Sequence, residues 1–507
     1  MVTGIAVALV ALIPLLYVAY YTVTTSPSVT RELLFRPRMG ELLWNSVRLM
    51  VAGMALSAAL GVAAAWVVER TDLPLRPLWH ALMCAPLAVP AFVNGYGWVS
   101  LTHRVEGFWG ASLIVTLSYY PLVYLPVSAM LRGLDPALEE VAQSLGYSGL
   151  RRFTHVVLPV LRPALLGGCV LVGLHLLAEF GALALLRYNT VTTAIYDQYQ
   201  STFAGAAANM LASVLVLLCL LLLLAELRLR GHRRLARVGG GAARHVTPTY
   251  LGGLTAPVFL AMTGLVTLSL GVPIASLVHW LAVGSSTEFP VDRLVSAATT
   301  TIGLSIAAGL LTVCMAAPVA WLAVRRPGFL STTLERCTYL ANALPGIVVA
   351  LALVTFAIRS IQPLYQTYFL LVLAYAIMFL PLAMVSVRSA LELAPPVLED
   401  VARSLGLGRI SVVARVTFPL VLPGVGAGAA LVFLASATEL TSTLLLAPIG
   451  TRTLATEFWA NSSSVAYGAA APYALLLILI SIPATVLLSR QAGNQVGKAD
   501  RKGGVLT

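Results

Sequence analysis

Of 507 residues, 59% are hydrophobic and only 10% are charged. Soluble globular chains carry about 25% charged residues, so the composition excludes that class and points to a polytopic membrane protein. The net charge of +12 is scattered over short segments between apolar runs. No basic-aromatic stripe appears, so the charge speaks for orientation in a membrane and against nucleic-acid binding.

Runs long enough to cross about 30 Å of hydrocarbon fall at 2–22, 44–68, 78–100, 111–131, 160–186 and 207–226 in the first half. The second half offers 253–282, 295–324, 338–358, 367–387, 420–446 and 468–489. The first run lacks the positive flank of a secretion signal and reads as a retained span. An all-α fold of about 12 transmembrane helices is therefore expected. With both termini on the cytoplasmic side, 23 of the 32 Lys and Arg residues fall on inner segments, which favours that orientation. The outer loop with Arg31, Arg36 and Arg38 runs against the trend.

These runs divide the chain into a first half at 1–227, a cytoplasmic linker at 228–248, a second half at 249–490 and a polar tail at 491–507. The linker, RLRGHRRLARVGGGAARH from Arg228, has no apolar periodicity. The tail reads as unstructured. Five dispersed cysteines with no C-x-x-C pair support neither a disulfide framework nor a zinc site.

The halves repeat one another. EEVAQSLGYSGLRRFTHVVLPVLRP, from Glu139 to Pro163, returns 260 residues later as EDVARSLGLGRISVVARVTFPLVLP, from Glu399 to Pro423. Upstream the pairs Trp66/Trp321, Pro90/Pro345 and Pro126/Pro381 lie 255 apart, which places an insertion of about five residues just before the charged segment. Six spans return each half to its starting side, so the repeats are parallel and a pathway is expected at their shared interface.

Each repeated segment opens with a short amphipathic helix. Leu138, Val141, Ala142 and Leu145 occupy one face, as do Leu398, Val401, Ala402 and Leu405. Asp135 reads as the N-cap of the first copy, with Pro136 behind it. Gly146 and Gly406 read as left-handed stops. Helices of about ten residues are not stable alone, so each must pack its stripe against something. The protein's own underside and the lipid headgroups are the alternatives to a partner. The matched duplication favours a partner with two equivalent seats.

The residues carry a resemblance. E-V-A-x-x-x-G from Glu140, followed nine residues later by V-V-L-P, and D-V-A-x-x-x-G from Asp400, followed by V-T-F-P, resemble the E-A-A-x-x-x-G-x9-I-x-L-P loop of bacterial ABC importer permeases. Departures are Val at the second position of both copies, Val156 and Val416 for Ile, Asp400 for Glu and Phe418 for Leu. The resemblance covers both halves. It implies coupling loops at about 134–159 and 394–419, seated on two ATP-binding cassette subunits at the cytoplasmic face. The residues implicated are Glu139, Glu140, Ala142, Gly146 and Pro159, with Glu399, Asp400, Ala402, Gly406 and Pro419. Of these, Glu140 and Asp400 would orient the docks, and Pro159 and Pro419 would turn the chain into the next span. An extracytoplasmic binding protein and a bacterial inner-membrane location are also implied. The chain has no complete G-x-x-x-x-G-K-[ST] phosphate loop, so ATP hydrolysis is assigned to those partners. No bound cofactor, no nucleic acid and no catalytic residue is expected, and no enzyme activity of its own.

Glu179 and Glu439, again 260 apart, fall inside expected spans. A carboxylate at mid-membrane costs roughly 2.5–3.5 kcal/mol, so both are expected to face protein or water. They are either pathway residues offering acceptors to a cation or buried braces. A symmetric metal site is not expected, because His175 has Ala435 as its counterpart. His80, His103 and His155 read as isolated structural histidines. Fusion of both halves in one chain resembles the ferric-iron importers, with the thiamine importers as the alternative. AEFGALALLRYNTVTTAIY, from Ala178 to Tyr196, resembles the ferric group and also the molybdate and sulfate permeases. A rival class is an ion-driven secondary transporter that uses Glu179 and Glu439 as proton carriers.

Overall fold

The computed structural model describes the chain except for residues 26–27, 29–30, 32–35, 135, 201–204, 231–248, 284–289, 341–343 and 504–507. The expected N-cap Asp135 and most of the linker thus lie outside the described residues. Among the described residues the elements are helices, with one isolated bridge between Thr71 and Thr249. Lipid imposes this, because a helix satisfies its backbone polar groups within one segment.

Nine helices among the described residues are long and apolar enough to cross a membrane. A tenth segment, Arg76–Ala88 with Ala91–Val99, bends by 87° at a short break. Two shorter apolar helices, Gly346–Ser360 and Tyr467–Pro483, occupy the remaining two expected spans. The result is an all-α polytopic membrane protein. The helix beginning at Tyr467 continues to Gly503, beyond the point at which the sequence predicts an unstructured tail.

Four runs expected as continuous spans are broken. Pro90 and Pro345 act as N-caps of Ala91–Val99 and Gly346–Ser360, at φ −53°, ψ 142° and φ −57°, ψ 144°. The matched prolines lack an N–H to continue a helix and restart one instead. Run 160–186 stops at Ala178 and resumes as Gly181–Leu185. Run 420–446 stops at Ala437 and resumes as Thr441–Leu446. Glu179 and Glu439 sit in these last two breaks.

One long helix in each half overshoots the hydrocarbon and ends on a charge. Pro37–Arg70 has 34 residues and Val291–Arg325 has 35. At 1.5 Å per residue each is about 50 Å long, so their ends project beyond the apolar slab. Each ends on an arginine, Arg70 and Arg325.

The chain forms two compact units. One comprises Glu41–Thr190, Leu218–Ser285 and Ser481–Thr507. In it Leu158–Ala178 packs on Pro121–Arg132, and Ala91–Val99 contacts both Gly181–Leu185 and Val272–Val283. A Cβ on Gly97 would lie 2.6 Å from the Cα of Pro273, so the glycine permits this approach. Ser100 and Ser276 hydroxyls meet across the same contact at 2.6 Å. The other unit comprises Met1–Gly40, Val191–Leu217 and Ser286–Ile480. Val291–Arg325, Tyr368–Leu393 and Phe418–Ala437 form its mutually packed core. Small residues allow this too, since a Cβ on Gly309 would lie 2.9 Å from the Ala429 carbonyl oxygen. Helix Val2–Thr24 packs against Val291–Arg325, Phe329–Leu340 and Gly346–Ser360. Each unit therefore contains the opening helix of the opposite sequence half.

Candidate functional site

The repeated segments form helices at Pro136–Ser144 and Pro396–Ser404. Both end in the same backbone motif. Gly146 and Gly406 adopt φ +81° and +85°, the left-handed stop that the sequence predicts. The Gly146 N–H donates to the Gln143 carbonyl at 2.9 Å, and the Tyr147 N–H donates to the Ala142 carbonyl at 3.0 Å. In the second copy Gly406 and Leu407 donate to Arg403 and Ala402 at 3.0 and 3.2 Å. These two bonds define the Schellman closure.

The apolar stripe is split. Ala142 and Ala402 are 4% and 5% exposed, whereas Leu145 and Leu405 are 70% and 78% exposed. Leu138, Val141, Leu398 and Val401 are also exposed. Each helix therefore seats a single alanine on its own chain and presents the rest of the stripe outward. Two exposed apolar ridges of matched shape, on short rods that cannot stand alone, are surfaces suited to a second protein.

The acidic pair at each helix start divides its work in a way the sequence reading missed. Glu140 and Asp400 are exposed, and the Arg403 Nη1 donates to Asp400 Oδ1 at 2.9 Å. Glu139 and Glu399 turn inward. Arg70 Nη2 lies 3.2 Å from Glu139 Oε1, and Arg325 Nη2 lies 2.9 Å from Glu399 Oε1. The arginines are 255 residues apart, the offset already visible at Trp66 and Trp321, so the repeat contained the signal. Each short helix is thereby tied to the end of a long spanning helix.

Pro159 and Pro419 do not turn the chain. Helices Gly149–Ala178 and Ile410–Ala437 run through them. Just ahead of each proline lies a π-turn, Phe153–Val157 and Val413–Thr417. A widened turn relieves the clash between a proline ring and the carbonyl four residues before it. His80 is not isolated either. Its Nδ1 pairs with the Tyr124 hydroxyl at 2.8 Å and lies 3.2 Å from Arg132 Nη2, while Arg132 Nε donates to Glu69 at 2.9 Å.

Glu179 and Glu439 occupy equivalent backbone positions. The Ala182 N–H donates to Glu179 Oε1 at 2.9 Å, and the Ser442 N–H donates to Glu439 Oε1 at 3.1 Å. Each carboxylate thus accepts a backbone donor at the start of the half-helix after its break. The remaining contacts differ. Tyr119 donates its hydroxyl to Glu179 Oε2 at 2.5 Å, while the Ser442 hydroxyl donates to Glu439 at 3.1 Å. Glu439 also borders a polar crevice with Thr301, Ser305, Tyr375 and Ser436. His175 lies beside Tyr119, with ring centroids 5.3 Å apart. Its Nδ1 is 2.8 Å from the Leu171 carbonyl, which can only accept, so that nitrogen carries the proton.

Comparison with known proteins matches this arrangement. The pattern of the binding-protein-dependent transport system inner membrane components matches twice, at residues 53–234 and 313–492. The chain is 40% identical over 491 residues to the Fe(3+)-transport system permease protein FbpB 2 of Haemophilus influenzae, covering 96% of this chain and 97% of that protein. It is 22% identical to the ferric transport system permease protein FbpB of Actinobacillus pleuropneumoniae, over 90% of this chain and 72% of that one. The sulfate transport system permease protein CysT of Salmonella typhimurium is 33% identical over 227 residues, 40% of this chain and 77% of that protein. Two matched repeats, their helices and their exposed loop ridges make this chain a member of the binding-protein-dependent transport system inner membrane components, with the family domain present twice.

Proposed function

We propose that this chain is the fused permease of an ATP-driven importer that accepts ferric iron from an extracytoplasmic binding protein and passes it inward. The carrying observation is the pair of exposed apolar ridges at 136–145 and 396–405, in a chain alike over nearly its full length to a Fe(3+) permease. One ATPase subunit seats on each ridge at the cytoplasmic face. The Lys and Arg distribution supports that side for both ridges and both termini. Nucleotide-driven closure of the ATPases moves the short helices and, through them, the spanning helices.

Glu179 and Glu439 brace the breaks beside the passage. A half-buried carboxylate at membrane depth is stable only toward protein or water, and the polar crevice beside Glu439 supports a place for these breaks along the passage. Each is held by a backbone donor, which suits bracing better than proton carriage.

The test is reconstitution in vesicles with the cognate ATPase and binding protein, followed by radiolabelled ferric uptake with and without ATP. Uptake that requires ATP and survives an uncoupler supports the reading. Retention and uptake of thiamine, never iron, sinks the cargo assignment. Uptake without any ATPase, abolished by an uncoupler, sinks the mechanism in favour of an ion-driven transporter.

A further inference from the structure

The inward-facing ion pairs are the least expected feature of the fold, because they spend a charged side chain of each loop helix on the chain itself. Both join the last residue of a long helix, Arg70 of Pro37–Arg70 and Arg325 of Val291–Arg325, to the first turn of a loop helix. Both are sheltered. The side chains of Arg70 and Glu139 are 2% and 18% exposed, and those of Arg325 and Glu399 are 11% and 6% exposed.

The two pairs are built differently. Among the described residues the Arg70 guanidinium makes no hydrogen bond of good geometry, and its Nε, Nη1 and Nη2 are all buried. Its link to Glu139 is an ion contact alone. The backbone around it is fastened from elsewhere: Thr249 N–H donates to the Arg70 carbonyl at 2.8 Å, and Asp72 N–H donates to the Thr249 carbonyl at 3.2 Å. Arg325, in contrast, uses its fork. Its Nε donates to Glu399 Oε1 at 3.0 Å, and its Nη2 donates to the Ala394 carbonyl at 2.9 Å. The other Glu399 oxygen accepts from Arg403 Nη2 at 3.3 Å.

We propose that Arg70 and Arg325 are positioning residues that lock each loop helix to a spanning helix, so that the two move as one lever, and that the second lock is directional while the first is electrostatic. A push on the exposed ridge then reaches the membrane without being lost as rotation of the loop helix. Removing one member of a buried pair leaves an uncompensated charge. An ammonium keeps a point charge but cannot reproduce a planar fork that serves two acceptors. Lysine is therefore tolerated at 70 and not at 325.

This inference rests on the loop helices seating ATPase subunits. Its readout is the amount of cargo moved per ATP hydrolysed by the complete reconstituted transporter, with ATPase binding measured alongside. Breaking a buried pair frees the loop helix by about a hundredfold or more, so Arg70→Ala and Arg325→Ala each lower that ratio by up to that factor, while the ATPases stay bound and active. The reciprocal exchange Arg70→Glu with Glu139→Arg restores most of the ratio. Arg70→Lys retains it and Arg325→Lys loses it. Should the alanine variants fail to insert, the reciprocal exchange decides: recovery of both insertion and coupling supports the lock, and no recovery overturns it. An unchanged ratio in the alanine variants overturns the lever, and equal behaviour of the two lysine variants overturns the difference between locks. Failure of the wild-type chain to bind any ATPase would instead defeat the underlying functional reading.

Discussion

Replacing Gly146 with alanine probes the loop helix at its most demanding backbone position. Gly146 holds φ +81°, and a Cβ placed there would meet no heavy atom within 4 Å. The change is thus felt through the backbone alone. Holding an L-residue in the left-handed region costs about 1–2 kcal/mol. The alternative is to release the two closing bonds, Gly146 to Gln143 and Tyr147 to Ala142, each worth about 0.5–1.5 kcal/mol. The chain takes whichever route is lower, so the penalty is capped at about 1–2 kcal/mol, a 5- to 30-fold rise in opening of the helix end. Hydrogen exchange at the Tyr147 amide in the purified protein should accelerate by about that factor. Gly146→Asn should accelerate it less, because asparagine enters the left-handed region more readily. Uptake should fall in Gly146→Ala with membrane insertion unchanged. Exchange at Tyr147 that is unaffected by alanine, or equally affected by asparagine, would refute the reasoning.

Serine at Leu138, Val141 and Leu145 together removes three side chains that are exposed in the lone chain. Full burial of each on docking is worth about 1.5–3 kcal/mol, so ATPase binding to vesicles bearing this variant should weaken by more than about a hundredfold. Unchanged binding would show that the ridge is not the seat. Ala142→Leu enlarges the one stripe residue that the chain buries. Overpacking of about 1–3 kcal/mol should lower the unfolding temperature, whereas Val141→Leu at the exposed face should not. Glu179→Gln keeps an acceptor for the Ala182 N–H and should leave uptake close to wild type, while Glu179→Leu removes the cap and should not. Loss of uptake in the glutamine variant would restore a titrating role.

Much of this was legible because duplication writes each feature twice. The 260-residue offset located both loop helices, both glycine stops and both intramembrane carboxylates. What escaped was of two kinds. Hydropathy averages over a window, so it reported runs 78–100 and 160–186 as continuous although Pro90 and Glu179 mark breaks. An apolar half-helix after a break is as greasy as an unbroken one. The partnering of Glu139 with Arg70 depends on packing between elements distant in sequence, and the family resemblance assigns both acids of the pair at the helix start to the ATPase seat. The 255-residue offset did pair Arg70 with Arg325. Only the fold supplied the reason.

The traded opening helices carry a consequence for biogenesis. The segment 2–24 leaves the ribosome long before 291–325, the surface it packs on, has been made. Until then it must wait in the bilayer with its packing face turned to lipid, and synthesis of the second half completes the first unit to begin. Two fragments cut within 231–248 would each be born lacking a structural helix, so they should accumulate only when made together.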